Sequence, residues 1–253
     1  MRIMELGPEF FTFVAVGFFA QLVDGALGMA FGVISTSALV ALGVPPAAAS
    51  AGVHAVETVT TAVSGTSHAI ARNVDWKLFA RIAVPGIVGA VLGAYLLTSI
   101  PADKAKPLIQ GYLGLLGIWI FWRGFRHIHV EREPKIVEPL GLAGGFLDAA
   151  GGGGWGPIVT SNLIVQGKAP RQTIGTVNAA EFLVTLSAAI TFIYHLGWEV
   201  VTTATLGLLA GGVIAAPFGA ILAKRLKPDV LMVLVGVVLM LTSAFGIWRY
   251  LSA

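Results

Sequence analysis

The sequence predicts an all-α polytopic membrane protein made of two inverted repeats, each a broken or re-entrant hairpin plus about three transmembrane helices. Three observations lead there: composition, an internal repeat, and the placement of the basic residues. Of the 253 residues, 56% are hydrophobic and 11% are charged. A soluble domain carries roughly 25% charged residues, so this chain has less than half the polar surface needed to stay dissolved. It has no cysteine, which excludes disulfides, thiolate metal sites and chemistry through a thiol. The net charge of +3 reads as positive-inside loops rather than as a nucleic-acid footprint. Neither a zinc-type His/Cys spacing nor a phosphate loop is present.

Six apolar runs have spanning length: 47–70, 80–100, 106–122, 172–195, 201–222 and 230–248. Each is near the ~20 residues a helix needs to cross about 30 Å of hydrocarbon, and backbone in lipid must satisfy itself as helix. Two further apolar segments, 10–44 and 138–167, are interrupted in mid-course. The first is broken by Asp24-Gly25-Ala26-Leu27-Gly28, the second by Asp148-Ala149-Ala150-Gly151-Gly152-Gly153-Gly154-Trp155-Gly156. Glycine runs disfavour continuous helix. Both segments therefore read as re-entrant hairpins with arms too short for a full crossing, surrounded by protein or a water-filled cavity. Residues 10–20 could pass for a signal-peptide core; because they align with 138–167, retention in the mature chain is expected.

An offset of 124 brings the halves into register. Asp24 falls on Asp148, Gly28 on Gly152, Phe31 on Trp155, Gly32 on Gly156 and Pro46 on Pro170. Val53-His54-Ala55-Val56-Glu57 falls on Val177-Asn178-Ala179-Ala180-Glu181, and Thr61 on Thr185; later Gly117-Ile118-Trp119 matches Gly246-Ile247-Trp248. The expected division is a first repeat at 1–122, a charged linker at 123–138 and a second repeat at 139–253. One hairpin plus three crossings per half puts Arg72, Lys77, Arg81, Arg123, Arg126, Arg132, Lys135, Lys168, Arg171, Lys224, Arg225 and Lys227 on one side, leaving Arg2, Lys104, Lys106 and Arg249 on the other. Four spans per half would divide them almost evenly. The positive-inside rule prefers the first arrangement, with a cytoplasmic linker and outward termini.

Acids inside a hydrophobic span cost ~2.5–3.5 kcal/mol on insertion scales, so Asp24, Glu57, Asp148 and Glu181 must face a cavity, pair with donors or carry a proton. They read as proton-coupling candidates, the glutamates foremost; the competing reading makes them helix staples or, for an Asp ahead of a glycine break, caps. Ser50, His54, Glu57, Thr61 and Ser64 share one helical face, repeated by Asn178, Glu181 and Thr185; a hydrated pathway or polar helix–helix contact would produce either stripe. His54, one turn from Glu57, is placed to hydrogen-bond with it, while His68 is expected at an interface. With no Lys or Arg deep in a span, the glycine breaks at Gly28, Gly32, Gly152 and Gly156, with Asn178 and His54, are the candidate anion site: interrupted helices aim unpaired N–H groups into the interior. Glycines that merely permit close packing are the competing reading. No catalytic residue, metal site or cofactor is expected, since no nucleophile–His–acid arrangement stands out.

The stretches Gly17-Phe18-Phe19-Ala20-Gln21-Leu22-Val23-Asp24-Gly25-Ala26-Leu27-Gly28-Met29-Ala30-Phe31-Gly32 and Gly145-Phe146-Leu147-Asp148-Ala149-Ala150-Gly151-Gly152-Gly153-Gly154-Trp155-Gly156-Pro157, with the Val-His-Ala-Val-Glu and Val-Asn-Ala-Ala-Glu segments, resemble the TauE/SafE family of membrane permeases, the sulfite exporters. The resemblance covers about residues 10–250. It implies a multi-pass permease of the cytoplasmic membrane that exports a sulfur-containing anion such as sulfite or an organosulfonate. Proton coupling is the leading expectation and a passive anion channel the alternative. The expected partners are the small anion, protons and the lipid bilayer, with a homodimer compatible with glycine-rich helix faces and no nucleic acid.

Overall fold

A computed structural model describes residues 8–125, 133–200, 203–225 and 228–252, the side chains at 8, 25, 26, 170, 217, 219–225 and 228 excepted. The described residues are helical throughout, without strands: α1 (Pro8–Leu27), α2 (Phe31–Leu42), α3 (Pro46–Ile70), α4 (Trp76–Ser99), α5 (Ala102–Arg123), α6 (Glu138–Gly151), a turn of π-helix at Trp155–Thr160 running into α7 (Ser161–Val165), α8 (Pro170–Leu196), a 3-10 turn at Trp198–Val200, α9 (Thr203–Arg225) and α10 (Pro228–Leu251). Arg2, Arg126, Arg132, Lys227 and residues 201–202, along with the middle of the expected linker, lie outside the described residues.

Each of the six apolar runs falls on one long helix, yet among the described residues only Trp76–Ser99, Arg171–Leu196 and Asp229–Leu251 are long and apolar enough to cross a membrane on length and composition alone. In α3 and α5 the reason is visible in the sequence. The first carries buried Ser50, His54, Glu57 and Thr61, and the second opens on Asp103, Lys104 and Lys106. Pro46 and Pro170, in the first turns of α3 and α8, sit where the missing N–H costs nothing.

The segment 10–44 departs from expectation. Helix α1 runs 20 residues through Leu27, about 30 Å, so this arm is not short and Asp24 lies within it. The break comes at 28–30, where Gly28 adopts φ +69° and its amide bonds the Asp24 carbonyl at 2.5 Å. Gly152, with φ +76°, ends α6 in the same way on the Asp148 carbonyl. That left-handed conformation suits glycine and terminates a helix.

The helix ends gather at two poles. At one, Lys168 pairs with Asp75 at 3.1 Å and Glu133 at 3.4 Å, Arg81 with Glu138 at 2.6 Å, and Gln166 accepts from the Lys135 and Ile136 amides. Here α3 ends, α4 and α8 begin, and the hairpin α6–α7 opens. At the opposite pole a cleft of about 350 Å³ is lined by Pro45, Ala47, Ile100, Ala102, Leu196 and Val200. Arg249, near the end of α10, donates to the Ala41 carbonyl at 3.0 Å, and Phe10 and Phe13 of α1 lie against Gly207. The hairpin α1–α2 therefore opens at this second pole.

Two seams hold the first arms of the hairpins. Along α4 and α6, Gly86, Gly89 and Gly93 meet backbone atoms of Leu142, Gly145 and Phe146; along α1 and α9, Gly17 meets Leu208, and Gly211 meets Val14 and Phe18. Backbone approaches backbone with no side chain between, the contact that small residues allow. Helices α3 and α8 cross antiparallel, Gly65 against Ala179 and Thr58 Oγ1 3.5 Å from Thr185 Oγ1. Antiparallel α5 and α10 meet where Gly114 faces Ser243.

Candidate functional site

The two hairpin tips interlock at the centre. A Cβ on Gly156 would lie 2.6 Å from Met29 Cα, one on Gly153 2.5 Å from the Val33 amide nitrogen, and one on Gly32 2.8 Å from Glu57 Oε1. Between the tips lies a small void of about 10 Å³, lined by Asp24, Glu57, Asp148, Glu181, Gly32 and Gly156, with Met29, Ala30, Phe31, Val33, Gly154 and Pro157 completing it. That is room for about one water.

Each aspartate fastens the second arm of its own hairpin. Asp24 Oδ1 accepts from the Ala30 and Phe31 amides at 2.7 and 3.2 Å. Asp148 Oδ1 accepts from the Trp155 amide at 3.0 Å, and Phe31 and Trp155 correspond under the offset. A carboxylate at the start of a helix satisfies orphan donors and complements the dipole. Among the described residues, the next amides (Gly32, Val33 and Gly156) have no acceptor, and Pro157 has no N–H. Three backbone donors thus remain unspoken for beside the void.

The halves then diverge. In the first, His54 is fully buried; its Nδ1 donates to the Ser50 carbonyl at 2.7 Å and its Nε2 stands 3.2 Å from Asp148 Oδ2. A carbonyl can only accept, so Nδ1 carries a proton and the Nε2–Oδ2 contact needs one more, on either partner. The pair therefore holds a shared proton. Ser50 Oγ adds a bond to the Ala149 carbonyl at 2.9 Å. His54 thus reaches across to the second hairpin, rather than along its helix to Glu57 as its spacing suggested. In the second half Asn178 takes the equivalent place, donating to the Ile174 carbonyl at 2.9 Å and accepting from Ser64 at 3.2 Å; its nitrogen comes 3.7 Å from a Cβ placed on Gly28.

Glu57 and Glu181 are both buried, 6% and 9% exposed, and both face the void. No hydrogen bond reaches either carboxyl group among the described residues. Of the ten residues singled out from the sequence, the structure brings six around the void: the four acids, Gly32 and Gly156. It places Gly28 and Gly152 one step away as helix terminators, with His54 and Asn178 behind the tips. His68, 3.3 Å from Asn73 Nδ2, sits at the basic pole as expected of an interfacial group.

Sequence reasoning missed four residues of the site. Tyr112 of α5 donates to the Gly153 carbonyl at 2.9 Å, pinning the second tip; a tyrosine in mid-run was the signal. Trp155 is fully buried and donates from Nε1 to the Val177 carbonyl at 3.2 Å. Met29 and Pro157, apolar and unremarkable in sequence, wall the void.

The basic pole has its own electrostatics. Burial alone would raise the Asp75 carboxyl, but the Leu78 amide, Lys168 and the Lys77 amide together hold it below the usual carboxylate range. Burial would lower Lys168, and its two acidic partners, Asp75 first, overcome that and raise it.

The family model described as sulfite exporter TauE/SafE matches residues 13–245. A protein of Bacillus subtilis (strain 168) named probable membrane transporter protein YtnM is 44% identical over 244 residues, covering 92% of this chain and 81% of that protein. No solved structure matches. Interrupted helices around buried acids, apolar spans and these two similarities agree, and the chain belongs to the sulfite exporter TauE/SafE family: it is a multi-pass membrane transporter, not an enzyme.

Proposed function

We propose that the protein is a secondary transporter of the cytoplasmic membrane that exports a small oxyanion, sulfite or an organosulfonate, coupled to the movement of protons. The observation that carries this reading is the meeting of two hairpins, opened at opposite poles, around a void lined by four carboxyl groups and backed by the unpaired amides of Gly32, Val33 and Gly156. An anion gains from such amides and is repelled by ionised carboxylates. It can therefore bind only when protons neutralise the site, and that requirement is what couples the two movements. Glu57 and Glu181, which have no hydrogen-bond partner among the described residues, carry the exchangeable protons. Asp24 and Asp148 take part through the tips they fasten, and the His54–Asp148 pair stores one proton. Gly28 and Gly152 shape the tips, and Asn178 orients the second.

The reading treats 1–122 and 139–253 as inverted repeats joined by the cytoplasmic linker 123–138. The antiparallel crossings support it. Thr58 meets Thr185 beside the residues the offset of 124 equates, and Gly114 meets Ser243, its own equivalent in the later register. Equivalent helices that cross antiparallel are related by an axis perpendicular to them, the inverted arrangement. The clustering of Arg72, Lys77, Arg81, Arg123, Lys168 and Arg171 at one pole supports a cytoplasmic assignment for that pole. A void of about 10 Å³, too small for an oxyanion to pass, favours alternating access over a passive channel, which needs a continuous pore.

Sulfite flux into proteoliposomes, measured over a range of pH, tests the proposal. Glu57→Gln and Glu181→Gln should each abolish the pH dependence or the flux. Unchanged pH-dependent flux in both variants would refute the coupling assignment.

A further inference from the structure

Serine and threonine within a helix ordinarily return their hydroxyl to the carbonyl four residues back. Thr58, Thr61, Thr173, Thr176, Thr185, Ser187, Thr191 and Thr242 all do so here. A small set does not. Among the described residues the hydroxyls of Ser35 and Thr36 on α2, Thr160 on the π turn and Ser243 on α10 are buried with no partner, as are Gln21 Oε1 and both polar atoms of the Gln110 carboxamide on α5. Thr36, Gln110 and Ser243 are 2% exposed or less. A buried carboxamide without a partner is unusual, since buried polar groups are nearly always hydrogen-bonded to protein or water.

Three of them, Gln110, Ser243 and Thr36, share one place in the fold, the wedge where α2, α5 and α10 pack together. Gln110 lies against Gly246 one turn from Ser243, which faces Gly114; the neighbouring Thr242 hydroxyl bonds Ser37 on α2, and Thr36 abuts Gly152 at the second hairpin tip. The row thus runs from beneath the Arg249 pole to the back of the central void. Fully buried Leu113 and Leu239 flank it.

We propose that α2, α5 and α10 enclose a file of internal waters, held by Gln110, Ser243 and Thr36, that links the Arg249 pole to the hairpin tips and carries protons to the central acids. Water supplies the donors and acceptors these side chains lack, and a file one water wide passes protons while excluding an oxyanion. This role rests on the proton-coupled reading above, whereas the hydration itself does not.

X-ray radiolytic footprinting of the full chain in detergent reads that hydration directly, because hydroxyl radicals formed from bound water oxidise adjacent side chains. Leu113 and Leu239 should be oxidised several-fold faster than Leu208, which is equally buried but packed against α1. In the Gln110→Leu/Ser243→Ala double variant that excess should vanish, and pH-driven sulfite flux in proteoliposomes should fall several-fold. Oxidation of Leu113 and Leu239 no faster than Leu208 would overturn the water file, whatever the flux. Normal oxidation in the parent with undiminished flux in a properly folded double variant would overturn its role as a proton path and leave the central site's assignment standing. A variant carrying only Ser243→Ala, one atom smaller, repeats the measurement should the double variant not fold.

Discussion

Replacing Gly156 by alanine wedges the two hairpin tips apart. The new Cβ would lie 2.6 Å from Met29 Cα and 2.7 Å from Met29 Cβ, against an ordinary contact of 3.4 Å or more. One neighbour is backbone and cannot turn aside, so the tips must separate by about 0.8 Å; overpacking of this kind costs ~1–3 kcal/mol. Gly111 supplies the control, because its Cβ would meet nothing within 4 Å. There alanine should be neutral or stabilising by up to about 1 kcal/mol through helix propensity. Equilibrium unfolding in mixed micelles should therefore separate Gly156→Ala from Gly111→Ala by roughly 1–4 kcal/mol, and Gly156→Ala should lose sulfite flux as the void is disrupted. Equal stability of the two variants would falsify the contact between the tips, and with it the idea that one site serves both halves.

Other perturbations grade the same architecture. Asp148→Ala should destabilise by about 3–5 kcal/mol because it strands His54 and uncaps Trp155; Asp24→Ala, which removes a cap alone, should lose about 0.5–2 kcal/mol, and the same unfolding assay ranks them. Tyr112→Phe should cost about 0.5–1.5 kcal/mol while keeping the ring against Gly151; a stability equal to the parent would exclude the bond to Gly153. The Asp75–Lys168 pair sets a pH window. Asp75 is depressed, so its contribution is present above the ordinary carboxylate value and lost as pH falls through its folded value; Lys168 is raised, so its share is present below the ordinary lysine value and lost as pH rises through its folded value. In Asp75→Asn the acid limb of the stability profile should flatten, read by thermal unfolding at stepped pH.

Periodic features were the legible ones. Helical runs, the equivalence of Asp24 with Asp148 and of Glu57 with Glu181, and the existence of two breaks follow from local spacing, and the structure gathers all four acids around one void. The position of the first break was off by four residues because Asp24 acts from inside α1, bridging forward to Ala30 and Phe31; a cap that reaches six residues along the chain has no local signature. The partner of His54 was illegible for a related reason. Glu57 is near in sequence, but Asp148 is brought near only by docking the other half. Helices α3 and α5 looked like ordinary spans, although each carries polar or charged residues that keep it from qualifying by composition. Tyr112 and Gln110 escaped notice because one polar residue in an apolar helix gives no direction until its neighbour is known.

The glycine seams of α4 with α6 and of α1 with α9 bear on how the protein can move. Where side chains interdigitate, axial displacement requires each knob to leave its hole and switch rotamer. Main chain sliding over main chain meets no such teeth, although the seam tolerates no added carbon at Gly89 or Gly211. These two contacts are therefore where a lengthwise shift of a first arm on its neighbour would meet least steric resistance, and a sideways one most, so the direction they favour for a rearrangement of the tips is parallel to the helices.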